Sequence, residues 1–299
     1  MKRTKFDREL FGPDSYECFN NLSKLCQKHY LRNVGLQLIL LLLISIIATI
    51  PELNAPIEKL KHFFQLILII GVLILMILQF KSNYMDGWQK TRFLAESILS
   101  QSWLLFFKVN KYNDELNNAL LVFQDRVKLM KSEINLTEYF KLSSPISVDN
   151  DKPRWIIENF ALPNSEKTEF YIKHRLTDQE KYYYKKTKYN TQKGEVFFWL
   201  GLTSMGIGAL LTILTIMDII PNFAYLGLFT TLSAAIFSWK QTKRFEELST
   251  TYSVAFDELK DFKKKLLLNP SEVRTKEIIY DVEKSISREH KMWVSKIGD

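Results

Sequence analysis

Four stretches of this chain carry no charged side chain, and each approaches the length a helix needs to cross a bilayer. They are 34–50, built around ILLLLISII and ending at Pro51; 63–80, centred on LILIIGVLILMIL; 196–217; and 222–239, with Pro221 at its start. About 20 apolar residues span the ~30 Å hydrocarbon core. The third stretch meets that length, and the first two are near the short limit, so flanking residues extend them. The alternative, buried helices of a large soluble core, would ask 299 residues to supply four such uncharged runs. A mean hydropathy of −0.10 therefore averages two kinds of chain, apolar stretches and the basic segments around them. The mostly polar residues before Val34 are unlike a signal peptide.

The stretches pair as two hairpins, one joined by 52–62 and the other by the tight Asp218 to Pro221. Charge sets the expected orientation. Of 41 Lys and Arg, seven precede the first stretch, two lie in the first hairpin loop and none in the second. Nineteen lie between the hairpins and thirteen after the fourth stretch. The positive-inside rule places both termini and the central region in the cytoplasm. Tyr30, Trp88, Phe197, Phe198, Trp199 and Trp239 flank the stretches, where amphipathic rings sit at headgroup depth. Cys18 and Cys26 fall on the reducing side. On a helix, eight residues separate them by about 12 Å, too far for a disulfide.

Outside the stretches the pattern is helical. Helix is expected to continue from the second stretch through Val109, and from the fourth through Leu268. Leu116, Leu120, Phe123, Val127, Met130 and Ile134 repeat at steps of four and three, a narrow stripe suited to a partner helix of this chain or of a neighbouring subunit. Residues 143–164 break the pattern with Pro145, Pro153 and Pro163. The expected organisation is an N-terminal unit over 1–142, a linker over 143–164 and a C-terminal unit over 165–299. Thr177 and Glu180 have the spacing of a capping box, and Asn269-Pro270-Ser271-Glu272 reads as the opening of a last helix. The fold class is thus an all-α membrane protein, with four transmembrane helices as two hairpins and extended cytoplasmic helices forming a bundle.

The two halves resemble each other. WQKTRFLAE after the second stretch aligns, with one extra residue, on WKQTKRFEEL after the fourth. With YIKHRLTDQEKYYYKKTKYN before the third stretch and IYDVEKSISREHKMW at the end, these segments make the second half resemble a SLATT domain, the SMODS- and SLOG-associating two-transmembrane effector family. The first half, through GWQKTRFLAESILSQSW, is similar to another SLATT subtype. The residues carrying the likeness are Trp88, Arg92, Glu96, Trp103, Arg175, Gln179, Tyr183, Trp239, Arg244 and Trp293. The resemblance implies a bacterial inner-membrane effector of a defence or conflict system, oligomeric, forming or opening a pore when a separate nucleotide-signal sensor or synthase triggers it. A membrane-anchored scaffold, recruiting a partner through the Leu116 to Ile134 stripe, is the alternative.

Enzyme motifs are scarce: Gly-x-Ser-x-Gly, Walker A and His-Glu-x-x-His do not occur. His29, His62, His174 and His290 are scattered, and Arg175, Asp178 and Glu180 read as surface ion pairing around a cap. No catalytic residue, metal or cofactor is expected. Polar atoms inside the stretches are more informative: Gln37, Ser45, Gln65, Thr203, Ser204, Thr212, Thr230 and Thr231. Together with Gly208 they are candidates for pore lining or for helix packing, since Ser204, Gly208 and Thr212 recur every fourth residue. With no Asp, Glu, Lys or Arg at mid-depth, a coupled transporter is disfavoured. The net charge of +8 is mixed in sign, and KYYYKKTKYN lies beside the third stretch, so anionic lipid is the expected contact and nucleic acid is not.

Overall fold

The computed structural model describes residues 13–51, 54–133, 153–221 and 225–295, and among them the regular structure is helical throughout. The elements are α1 (Asp14–Ala48), α2 (Ala55–Ser82), α3 (Tyr84–Phe106), α4 (Leu116–Glu133), α5 (Arg154–Asn159), α6 (Asn164–Ile216), α7 (Tyr225–Thr242), α8 (Phe245–Leu267) and α9 (Glu272–Ser295). A 3₁₀ turn, Asn110–Tyr112, precedes α4.

Three helical runs are long and apolar enough to cross a membrane: α1, the α2–α3 run Ala55–Phe106, and α6. The fourth expected stretch forms α7, 18 residues that end in Lys240, Gln241 and Thr242. That polar end leaves it short of a bilayer's worth of apolar helix, and 222–224 lie outside the described residues. Neither α1 nor α6 stops where its apolar stretch begins. Over 53 residues, about 80 Å of helix, α6 runs from charged sequence into apolar sequence.

The expected continuity after the second and fourth stretches is broken. Asn83 turns left-handed (φ 46°) between α2 and α3, and Arg244 (φ 52°) does so between α7 and α8. Three other helix ends, those of α3, α6 and α8, also carry a left-handed residue. At the end of α3, Val109 N–H donates to the Leu104 carbonyl and Lys108 N–H to that of Leu105, both at 3.0 Å, with Lys108 at φ 54°. Asp218 ends α6 alike, through Ile219 N–H to the Leu214 carbonyl, and Asn269 follows α8 at φ 48°. These paired bonds satisfy the last carbonyls of a helix and reverse the chain. Glycine is the usual residue there, and none of these five positions is glycine.

Each half therefore repeats one plan: a long first helix, an apolar second, a left-handed joint, a third helix, a second joint and a fourth helix. The aligned tryptophans do not occupy matching places in it. Trp88 lies on α3, after its joint, whereas Trp239 lies on α7, before its own.

Two compact units cut across the halves. The first takes the described residues of Met1–Gln27, Met85–Lys186 and Thr250–Asp299; the second takes those of Lys28–Tyr84 and Thr187–Ser249. The first unit is a helical bundle around an aromatic core. Trp103 lies 4.7 Å from Trp155 and 5.2 Å from Tyr171, centroid to centroid, and Phe106 lies 5.1 Å from Trp155. Leu120, Phe123 and Val127 of the α4 stripe are buried in this bundle, Leu116 and Met130 are half-buried, and Ile134 lies outside the described residues. Cys18 and Cys26 are buried free thiols, and burial pushes the Cys26 thiol up to about 11.

Helix starts also differ from expectation. Thr177 caps nothing, because it lies inside α6. A π-helical turn, Ile172–Leu176, precedes it, and both its N–H and its hydroxyl (2.7 Å) donate to the Ile172 carbonyl. At α9 the capping side chain is Ser271, whose Oγ accepts from Arg274 N–H, while Asn269 is the left-handed end of the preceding helix. Part of the expected linker is ordered, with α5 following Pro153 and α6 following Pro163.

Candidate functional site

In the apolar unit, some polar side chains of the apolar stretches bond to neighbouring helices and others bond back within their own. Gln37 Nε2 donates to Gln79 Oε1 at 2.8 Å, and Asn33 Nδ2 to the Leu75 carbonyl at 3.2 Å, so three amides tie α1 to α2. Ser45 Oγ donates to the Gly227 carbonyl on α7 at 3.4 Å. Gln65 bonds within its own helix, through His62 Nδ1 at 3.1 Å. Asn33 and Gln79 sit at the ends of their stretches, which is why sequence reasoning passed over them.

The small-residue stripe of α6 faces α7. Ser204 Oγ donates to the Phe229 carbonyl at 3.1 Å, and Ser233 Oγ returns a bond to the Gly201 carbonyl at 3.0 Å. Gly201 and Gly208 make the approach possible. A Cβ on Gly208 would stand 2.7 Å from Phe229 Cβ, and one on Gly201 would stand 2.7 Å from the Phe237 ring. Thr212, Thr230 and Thr231 bond back to carbonyls of their own helices at Gly208, Leu226 and Gly227. Thr203 faces outward from α6. Gly201, Ser204 and Gly208 thus form a helix–helix seam within the chain.

The bundle holds a buried charge cluster whose members sequence placed elsewhere. Arg175, expected on the surface, is almost fully buried. Its guanidinium grips the equally buried Glu283 of α9 bidentately, Nε to Oε1 at 3.1 Å and Nη2 to Oε2 at 2.8 Å. Tyr171 hydroxyl donates to Glu283 Oε1 at 2.7 Å. Burial and the adjacent Glu283 carboxylate push the Tyr171 phenol well up. Desolvation opposes the Arg175 charge, but Glu283 and Glu96 outweigh it and raise its affinity for the proton. Glu96, buried on α3, pairs with Arg92, which also donates to Asn20 of α1 at 3.0 Å. Three of the family-like residues, Glu96, Trp103 and Arg175, therefore build the interior of one bundle, with Arg92 half-buried beside Glu96.

Gln179 and Tyr183 are buried on α6, with Tyr183 5.6 Å from the Tyr252 ring. Glu180 pairs with Lys263 at 2.7 Å, and Arg244 with Glu247. A Cβ on Gly35 would stand 3.6 Å from the Trp239 ring. Trp293 lies on α9 with its side chain outside the described residues. A second buried cation escaped sequence reasoning: Lys167 Nζ donates to the Phe106 and Phe160 carbonyls at 3.0 and 2.7 Å. It satisfies two helix C-termini at once. Among the described residues no cluster of His, Cys, Asp and Glu has the arrangement of a metal site.

Comparison with curated proteins and with solved structures finds no match. The sequence itself matches two family descriptions, SMODS and SLOG-associating 2TM effector domain 3 over residues 13–146, and SMODS and SLOG-associating 2TM effector domain 1 over 171–293. Each matched segment carries one long first helix, one apolar second helix and the jointed helices that follow. The chain belongs to the SLATT family and carries two of its domains, subtype 3 and then subtype 1, in tandem.

Proposed function

We propose that this protein is a bacterial inner-membrane effector that forms or opens a pore when a separate nucleotide-sensing partner triggers it in a defence system. One observation carries the reading. The first helix of each domain is continuous from polar, bundle-forming sequence into apolar sequence, through α1 in one domain and α6 in the other. In this reading a binding event on the polar part of either helix bears on the apolar part of the same helix. The family description, which couples a two-transmembrane effector to SMODS and SLOG proteins, supports a partner that makes or senses the signal.

In this reading four helices cross the membrane as two hairpins, with both termini cytoplasmic, and the protein works without catalysis. The apolar faces of α2 and α6 meet lipid; Phe63, Leu73, Met76, Leu200 and Leu210 are all exposed on them. The seam of Gly201, Ser204 and Gly208 is filled by α7 of the same chain, so one chain offers no lumen along it and the conducting state is an oligomer. A scaffold acting through the α4 stripe is less favoured, because Leu120, Phe123 and Val127 are already covered within the bundle.

The test is current across a planar bilayer holding purified protein, with and without the product of its neighbouring gene. Discrete, partner-dependent conductance is the expected result. A silent bilayer, with insertion and partner binding both verified, would refute the pore and leave anchoring as the role of the apolar helices.

A further inference from the structure

A cavity of about 630 Å³ opens in the bundle between the 108–113 turn and the first turns of α9. Lys108, Asn110, Asn113, Arg274, Lys276 and Tyr280 line it, with Glu277 and Asp281 at its acidic side. Its cations outnumber their partners. Arg274 pairs with Glu277 at 2.7 Å, and Lys276 pairs with Glu272 at 3.0 Å while its ammonium keeps further donors. Lys108 forms no ion pair among the described residues; its ammonium lies 4.6 Å from the centroid of the Phe160 ring. Behind it Lys167, also without a carboxylate partner, is held by two carbonyls and lies over that same ring at 5.1 Å. The crowding has an electrostatic consequence. Burial first, and then the charges of Lys108 and Lys276, push the Lys167 ammonium down to about 8, with Glu272 alone opposing. Lys108 and Asn110 both take left-handed backbone (φ 54° and 55°) on either side of Val109, the first of them closing the end of α3.

We infer that this cavity is a binding site for a small, multiply charged oxyanion of the phosphate class, held by Lys108 and Lys276 with the Asn110 and Asn113 amides as further donors. Such an anion offers Lys108 the partner it lacks and relieves the repulsion among three lysines. A phosphate can arrive free in solution or as the headgroup of a lipid, and the experiment separates the two.

Inorganic pyrophosphate is titrated calorimetrically into the full chain in phosphatidylcholine nanodiscs, at low salt. Saturable binding at one site per chain is expected, weakened about tenfold by K108Q and again by K276Q, the scale of one charge-assisted bond. K185Q and K188Q, basic changes outside the cavity, should leave it unaltered. A second arm measures pull-down on vesicles containing phosphatidic acid. Loss of that binding in K108Q and K276Q alone, with no saturable pyrophosphate, would assign the oxyanion to a lipid. Neither behaviour, or equal weakening by all four substitutions, would overturn the site.

Discussion

Breaking the buried pair of Arg175 and Glu283 should be among the most damaging single changes the bundle can suffer. Glu283→Leu removes a carboxylate that accepts three hydrogen bonds, two from Arg175 and one from Tyr171. It leaves the guanidinium with no water to replace them, since both side chains are almost wholly buried. Removing one partner of such a pair costs about 3–5 kcal/mol. For a chain of this size that corresponds to a fall of roughly 5–8 °C in Tm. Glu96 also lies within electrostatic reach of Arg175, which argues for the lower part of the range. Arg175→Met with Glu283→Leu should recover most of the loss, because apolar side chains of similar volume replace an ion pair at little cost. The assay is tryptophan fluorescence during thermal unfolding in detergent, reading Trp103 and Trp155 in the bundle core. A Glu283→Leu loss below about 1 kcal/mol would mean that the pair behaves as a solvent-exposed one. A double variant as unstable as the sum of the single ones would deny the coupling between them.

In the apolar unit, Gly208→Ala should destabilise the α6–α7 seam by about 1–3 kcal/mol, because its Cβ meets Phe229 Cβ at 2.7 Å. Gly206→Ala on the same helix meets nothing within 4 Å and should be neutral or mildly stabilising; thermal unfolding of the pair checks both. Raising pH from 7.5 to 9.5 should stabilise the bundle. The folded-state value of Lys167, about 8, lies below its ordinary 10.5, so in that window the unfolded chain holds the proton that the folded chain has released. Lys167→Met should flatten the slope in denaturant titrations at the two pH values.

The apolar stretches and the tandem plan were legible in sequence because both are local. Uncharged runs and basic flanks need no knowledge of what lies across the fold, and the α4 stripe announces its period within one helix. The joints at Asn83 and Arg244 were not legible. A left-handed residue is expected to be glycine, and here asparagine and arginine adopt it where the chain must turn. Arg175 was misread for a different reason. Its neighbours in sequence, Asp178 and Glu180, offered an adequate surface partner, while its true partner stands 108 residues away. The polar atoms of the third stretch were recognised as packing or pore groups, but only the approach of Phe229 and Phe237 gives Gly208 and Gly201 their place in the seam.

The interleaving of the two units bears on how the chain is made. Trp103, Phe106 and Glu96 come from the first domain, yet Trp155 and Tyr171 cover the rings, and the Arg175 charge acting on Glu96 lies further on still. As the nascent chain leaves the ribosome, the first domain has an aromatic face and a carboxylate in place before the residues that bury them have been synthesised. Bundle assembly is therefore coupled to completion of the second domain. Neither matched segment holds this interior alone, so separating the gene into its two matched segments should yield two unfinished proteins.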